Sequence, residues 1–488
     1  MYIFLITLLG FVLRIKNIVK PEGLWNDEYV SWLVASTPFN NGFFQEIIKQ
    51  CHMPLYYLYL KPFYLCSDTI LRLSSVVPSV LAISVMYLVG KEYSKRCAKY
   101  SALITSILPF LVYYSQEVRL YSLVFLLSSI TLLFLIRSIK NMTKKNITLY
   151  IISSIILIFT HVLGIIFILP TTAYLAYKKK SISKKLLFAL LIISLTVLPF
   201  GLNILRQSPS SQWWGIFSYT NIMFLFSDFF SPILTNHINA PLTFFYKKEA
   251  IFTFLITIPT LIGLIGIISG FKKIKELLLI SFIFIFILSV FAMTGKFVFI
   301  TKYSIEILPI LILSVSIGFD DNNKIKTVLF YTFIIINLLA IYTPYYPAKI
   351  TRIEGNKLPA VILNELNPNN IVFTYYSPDR FKRYLKTNSK LMHISKINRF
   401  DYKEHPEKIL EKINENESVA IVFLDSVSFI PQNMIFEAQI RNIPEMFITF
   451  SSIRNSLENY MINKFKTYKI YKTGSWSIIY ANKAYILP

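Results

Sequence analysis

The chain has 488 residues, of which 54% are apolar, 16% aromatic and only 16% charged. Soluble domains carry nearer a quarter charged residues, and here the apolar residues gather in runs able to cross a hydrocarbon core about 30 Å thick; a soluble enzyme is excluded and a polytopic membrane protein expected. Lys and Arg number 50 against 26 Asp and Glu, a net charge of +24, an excess that belongs to basic cytoplasmic loops and makes no case for nucleic acid, while three cysteines exclude a disulfide framework or thiolate metal cluster.

The first apolar run, Met1 to about Val19, has no basic region before it and no small-residue cleavage site after it, so it reads as a retained helix rather than a signal peptide. Further spans are expected at about 72–90, 100–115, 120–136, 147–160, 161–177, 186–204, 250–270, 277–293, 302–318 and 327–343, about eleven in all. Several are short for an isolated helix. The stretches 100–136 and 147–177 could therefore each be one buried hairpin around a polar apex, and a count of nine or thirteen keeps the same charge asymmetry. Alternate connections are short and basic: Lys91, Lys95, Arg96 and Lys99; Arg137, Lys140, Lys144 and Lys145; Lys178, Lys179, Lys180, Lys184 and Lys185; Lys272, Lys273 and Lys275; Lys324 and Lys326. These face the cytoplasm by the positive-inside rule. The N-terminus then starts inside. Everything after about Pro344 lies outside, as do two longer loops at about 20–71 and 205–249. Cys51 and Cys66 share the first of these, either as a bridge or as two thiols.

From about 345 the composition becomes that of a soluble domain. Strand-length apolar stretches, Ile371 to Tyr375, Val419 to Leu424 and Ile478 to Tyr480, alternate with segments rich in Lys, Glu and Asn. The expected organisation is an α-helical membrane domain over 1–344 and an extracytoplasmic α/β or α+β domain over 345–488.

Chemistry-bearing residues collect in the outer connections. Leu24-Trp25-Asn26-Asp27-Glu28-Tyr29 puts two adjacent carboxylates just after the first helix. They read either as a base or metal ligand held at the membrane face, or as first-turn acids complementing a helix dipole. Cys51-His52-Met53-Pro54-Leu55-Tyr56-Tyr57 is an interfacial aromatic segment; its histidine reads as a substrate or metal ligand, or as a plain hydrogen-bonding group. Tyr113-Tyr114-Ser115-Gln116-Glu117-Val118-Arg119-Leu120-Tyr121 is a polar apex whose arginine breaks the inside bias. Guanidinium is suited to gripping phosphate oxygens, and the alternative is an ion pair with Glu117. In Lys296-Phe297-Val298-Phe299-Ile300-Thr301-Lys302-Tyr303 cations again sit on the outer side, with Glu306 in the helix that follows. Snorkelling accounts for Lys296 more readily than for Lys302. Ionisable residues at a membrane boundary point to a functional site, and a reaction on a lipid-linked phosphate needs an anion grip near the bilayer and a base for an incoming hydroxyl.

Taken in order, these segments resemble the polyprenyl-phosphate-dependent glycosyltransferases of the GT-C type, the group that includes protein O-mannosyltransferases and lipid A aminoarabinose transferases. The likeness rests on Trp25-Asn26-Asp27-Glu28 and on His52-Met53-Pro54-Leu55-Tyr56-Tyr57, similar to the family's His-Pro-Pro-Leu-Tyr-Tyr. It continues through Leu71-Arg72-Leu73-Ser74, Tyr114 to Tyr121, Thr160-His161, and Lys302-Tyr303 followed by Leu308-Pro309, over roughly residues 1–320. Two departures stand out: Met53 replaces a usual proline, and Lys302 a more frequent arginine.

The resemblance implies an inverting transfer of one sugar from a polyprenyl phosphate to an acceptor hydroxyl on the outer face of the cytoplasmic membrane. It implies Asp27 as the catalytic carboxylate with Glu28 as its structural or acceptor-orienting neighbour, and Arg119 and Lys302 as donor-phosphate ligands. His52, Tyr57, Tyr121 and Tyr303 would bind substrate. Some relatives hold a divalent metal, for which His52 and His237 are candidate ligands here. The partners implied are the lipid-linked sugar and a glycan, lipid or protein acceptor. A transporter or lipid-linked sugar flippase is the rival reading, but it predicts paired halves and mid-span charges, whereas the charges here sit at one face. A catalytically dead scaffold is a third.

Overall fold

The computed structural model describes residues 1–16, 18–19, 23–50, 52–179, 197, 202, 219–231, 250–294, 299–341, 357–373, 381, 383–393, 417–424, 468–473 and 476–481. The chain divides into two compact units: Met1–Ile18, Val30–Asn239 and Lys248–Ala348 form the first, and Val19–Tyr29, Ala240–Lys247 and Lys349–Pro488 the second.

The helices leading to and within the first unit are α1 (Tyr2–Ile15), α2 (Asn26–Ser36), α3 (Asn41–Lys49), α4 (Pro54–Leu60), α5 (Asp68–Lys91), α6 (Lys95–Ile107), α7 (Pro109–Ser115) and α8 (Tyr121–Lys140). They continue with α9 (Lys144–Thr160), α10 (Gly164–Lys178), α11 (Tyr219–Phe230), α12 (Ala250–Met293), a 3-10 segment (Thr301–Ile307), α13 (Leu308–Gly318) and α14 (Lys324–Ile341). Ser67, Ser94 and Thr143 cap α5, α6 and α9, each side-chain oxygen accepting from the backbone N–H three residues on. Large apolar side chains such as Phe4, Phe11, Phe282, Phe286, Val328 and Leu339 point outward from the helices, as a bundle immersed in lipid requires; the chain is a multi-pass membrane protein.

Among the described residues, four helical stretches are long and apolar enough to cross a membrane, or five if the bent pair α6–α7 is one span. Other expected spans are shorter: α1 has 14 residues and α10 has 15. The span expected at 186–204 lies outside the described residues apart from Val197 and Leu202. The expected spans 250–270 and 277–293 appear as α12, broken at Ile274 (φ −138°, ψ 33°) within the basic stretch Lys272–Lys275.

The short basic connections meet one another. Arg137 Nε donates to Glu92 Oε1 at 2.8 Å, Arg96 Nη1 to the Asp321 carbonyl at 2.7 Å, and Lys178 Nζ to Glu276 Oε1 at 3.3 Å. One end of the bundle is thus tied by the cations that the sequence places on a single side. The polar apices 116–120 and 161–163 fall at the other ends of α8 and α9–α10.

Two features fix the apex geometry. Pro109 opens α7 and has no N–H to offer the Thr105 carbonyl, so the helix bends by 53° between α6 and α7. The fully buried Arg14 of α1 makes good the loss: Nη2 donates to Thr105 O at 2.9 Å, Nη1 to Ser106 O at 2.7 Å and Gly10 O at 3.0 Å, and Nε to Ser79 Oγ at 2.7 Å. In return, Gln116 Nε2 donates to the carbonyls at the end of α1, Lys16 O at 2.7 Å and Arg14 O at 3.0 Å, groups that the helix itself cannot satisfy. Arg72 Nη1 donates to Ile18 O at 3.1 Å. Toward the basic end, α12 and α13 cross at glycines: a Cβ on Gly318 would lie 2.0 Å from Gly266 O, and one on Gly270 2.3 Å from Ser314 O, the close backbone approach that small residues permit between membrane helices.

The second unit contains α15 (Lys357–Leu366) and a sheet of order β2-β1-β3-β5-β4, with β1 (Asn370–Phe373), β2 (Lys390–His393), β3 (Val419–Leu424), β4 (Tyr468–Thr473) and β5 (Trp476–Ala481). β1 runs parallel to β2 and β3, and β5 antiparallel to β3 and β4. Ala360 and Leu363 of α15 pack with Ile371, Phe373, Val422, Ile478 and Phe381. The three strands expected from sequence are the central ones; β2 and β4 stand at the edges, where partial solvation removes the apolar signal. The segment before α2 belongs to this unit, and Leu24 N–H donates to Tyr384 Oη at 2.8 Å.

Candidate functional site

α2 begins at Asn26, so Asp27 and Glu28 occupy its first turn. Glu28 is buried, and its Oε2 accepts from the Trp25 N–H at 3.2 Å, the returning half of a capping box. The helix-terminus reading therefore holds for Glu28. Asp27 is half-buried and precedes Ser31 by one turn of the same helix. The far end of α2 is closed by Lys61, whose Nζ donates to Ala35 O at 3.1 Å and Thr37 O at 2.5 Å, a cation at a helix C-terminus.

The first unit brings four of the expected residues together at the apex end. Arg119 and Lys302 are 7% and 4% exposed. The Arg119 guanidinium carbon lies 5.9 Å from the centroid of Tyr121, and Lys302 Nζ lies 5.6 Å from the same centroid and 5.6 Å from that of Tyr303. A ring face attracts cations, so one tyrosine draws together two positive groups that belong to different connections. Arg119 Nη1 also donates to Ser31 Oγ at 3.3 Å, and the Arg119 carbonyl accepts from Ser75 Oγ at 3.4 Å. Burying two cations is costly; an anion entering beside them recovers part of that cost.

Two buried acid contacts flank these residues. His161 Nδ1 and Glu306 Oε1 share a hydrogen bond, and the His161 ring centroid is 6.4 Å from that of Tyr303. Glu306 is 0% exposed, and its Oε2 makes no hydrogen bond. Asp228 Oδ2 accepts from Thr301 Oγ1 at 2.7 Å, tying α11 to the residue before Lys302. Asp228 was missed by the sequence reading, although a single carboxylate in the aromatic run Tyr219–Phe230 is the signal an intramembrane acid gives.

His52 and Tyr57 form a separate pair: Nδ1 and the hydroxyl share a hydrogen bond, and the rings stack with centroids 5.8 Å apart at 29°. Pro54 sits in the first turn of α4, where a missing N–H costs nothing. Among the described residues no three His, Cys, Asp or Glu side chains gather as a metal-ligand set. His237, Lys296 and Cys51 lie outside the described residues.

At the level of sequence, no family model matches the chain and no curated protein does. Solved structures match over its whole length. ArnT from Cupriavidus metallidurans, in the apo state, superposes with a TM-score of 0.52 at 11% identity, covering 100% of this chain and 99% of that one. The Archaeoglobus fulgidus oligosaccharyltransferase tethered with an acceptor peptide gives 0.50 at 11% identity, covering 100% and 74%. ArnT bound to undecaprenyl phosphate gives 0.48 at 10%, covering 100% and 99%. The chain thus shares its fold with ArnT and with the oligosaccharyltransferase.

Proposed function

We propose that this protein is a membrane glycosyltransferase that moves a single sugar, with inversion, from a polyprenyl phosphate to an acceptor hydroxyl on the outer side of the cytoplasmic membrane. The observation that carries the reading is the pair of buried cations, Arg119 and Lys302, drawn to the Tyr121 ring. That ring stands at the start of α8, and the basic Arg137 and Lys140 stand at its end. Two buried cations beside one ring at the end of apolar helices suit a lipid-borne phosphate, whose tail stays in the membrane. The positive-inside rule assigns the apex end, and with it the C-terminal domain, to the outer side.

In this mechanism Asp27 is the base. It takes the proton of the acceptor hydroxyl as that oxygen attacks the anomeric carbon from the face opposite the phosphate. The bond from carbon to phosphate oxygen breaks, and the lipid phosphate leaves with its charge met by Arg119 and Lys302. Arg119 can grip two oxygens in a plane, whereas Lys302 acts as a point charge. Glu28 holds the first turn of α2, and Tyr121 and Tyr303 keep the cations in place. His52 and Tyr57, already bonded to each other, bind substrate.

The test is mass spectrometry of surface glycans from a deletion strain complemented with the wild type or with Asp27→Asn. The deletion should lose one monosaccharide that the wild type restores and Asp27→Asn does not. An unchanged glycan profile in the deletion sinks the reading, and full restoration by Asp27→Asn removes the role of Asp27. Radiolabel transfer by purified protein in detergent separates a transferase from a flippase, since a flippase forms no new glycosidic bond.

A further inference from the structure

The stretch between α1 and α2 forms no helix or strand of its own in residues 23–25, so the carboxylates that follow must be fixed by contacts from elsewhere. Three successive residues are each held. Gly23 takes a left-handed φ of +83°, and a Cβ there would lie 2.5 Å from Lys357 Cβ and 2.8 Å from Lys357 N. Next, the Leu24 N–H donates to Tyr384 Oη at 2.8 Å, with the Leu24 side chain fully buried. Trp25 N–H then donates to Glu28 Oε2.

The first two contacts rest on one support. Lys357 opens α15. Asn364 of the same helix donates through Nδ2 to the Tyr384 carbonyl at 2.9 Å and accepts from Lys386 N–H through Oδ1 at 2.7 Å. Tyr384 N–H donates to Phe381 O at 2.9 Å, and Phe381 stands in the core that α15 makes with the sheet. A path of contacts therefore runs from the sheet through α15 to Tyr384 and Lys357, then to Gly23 and Leu24, and so to the first turn of α2.

We propose that Tyr384 is a positioning residue for Asp27. Its hydroxyl, together with the close seat of Gly23 on Lys357, sets where the α2 N-terminus begins. This rests on the reading of Asp27 as the base. Tyr384 touches neither donor nor acceptor in this scheme; it acts through Leu24. Displacing a reacting group by about 1 Å costs on the order of 100-fold in rate, and Leu24 is only three residues before Asp27.

The test uses the full chain in nanodiscs, with Tyr384→Phe and, as a second route to the same displacement, Gly23→Ala, which keeps the hydroxyl but has no room for its methyl. Three measurements are made: hydrogen exchange of the peptide covering residues 22–29, affinity for undecaprenyl phosphate, and glycan restoration in the deletion strain. Tyr384→Phe should raise exchange at the Leu24 amide about tenfold, leave undecaprenyl phosphate affinity within about twofold, and cut glycan restoration by roughly 10- to 100-fold. Gly23→Ala should show the same pattern. Unchanged exchange, or raised exchange with full restoration in both variants, overturns the proposal. So does a parallel loss of phosphate affinity and thermal stability, which marks a merely structural role. If Asp27→Asn restores the glycan, the reading of Asp27 fails by itself, and a loss in Tyr384→Phe then counts against positioning.

Discussion

Replacing Arg14 with methionine tests whether a buried cation stands in for the hydrogen bonds that a proline removes. Bonds of Arg14 at 2.7, 3.0, 2.7 and 2.9 Å hold it to Ser79, Gly10, Ser106 and Thr105, but they do not count equally. The Gly10 carbonyl lies inside α1, where the helix provides a partner, and the Ser79 hydroxyl can turn to a carbonyl of its own helix. The Thr105 and Ser106 carbonyls cannot recover: Pro109 has no N–H, and Phe110 lies in the first turn of α7 beyond the bend. Two orphaned buried carbonyls cost about 1–3 kcal/mol each. Methionine also removes the desolvation cost of a buried charge, so the net loss should be about 3 kcal/mol, read as a lower midpoint of unfolding in detergent. Pro109→Ala restores a donor for Thr105 O, and the double variant should be more stable than the sum of the single losses by about 1 kcal/mol or more. A stability change below about 0.5 kcal/mol in Arg14→Met, or strict additivity with Pro109→Ala, would refute the account.

Three further outcomes are expected. Gly318→Ala, whose methyl would lie 2.0 Å from the Gly266 carbonyl, should cost about 3 kcal/mol or prevent accumulation, whereas an exposed lipid-facing change such as Phe282→Leu should not; expression and thermal unfolding decide it. His161→Phe leaves the buried Glu306 carboxylate without its imidazole partner and should destabilise by about 3–5 kcal/mol, with Glu306→Gln in the same chain recovering a substantial part, as measured by the unfolding midpoint. Arg119→Ala should weaken undecaprenyl phosphate binding by roughly 10- to 100-fold, the worth of a charge-assisted hydrogen bond, while binding that is unchanged in both Arg119→Ala and Lys302→Met would show that the phosphate sits elsewhere.

Much of the helix inventory was legible in the chain because hydropathy, caps and breakers act over neighbouring residues. Ser94 and Thr143 precede their helices as capping residues do, whereas the bend at Pro109 was not foreseen, 100–115 being expected as one span. The strands that lie at the centre of the sheet were equally plain: Val419–Leu424 is apolar throughout because both its faces are covered. Edge strands such as Tyr468–Thr473 were hidden, since exposed positions such as Lys469 interrupt the apolar pattern.

What the sequence determined by itself was therefore the membrane class, the alternation of basic and polar connections, and the short segments bearing Asp27, Arg119 and Lys302. Only the tertiary structure decided which side chains meet: that Arg119 and Lys302 share the Tyr121 ring, that Arg14 serves the α6–α7 break, and that Tyr384 reaches Leu24. The reason is physical. A helix can be read from its own residues, but the rotation, bend and crossing of packed helices are set by partners far along the chain, and a shift of one residue in register turns a side chain by about 100°.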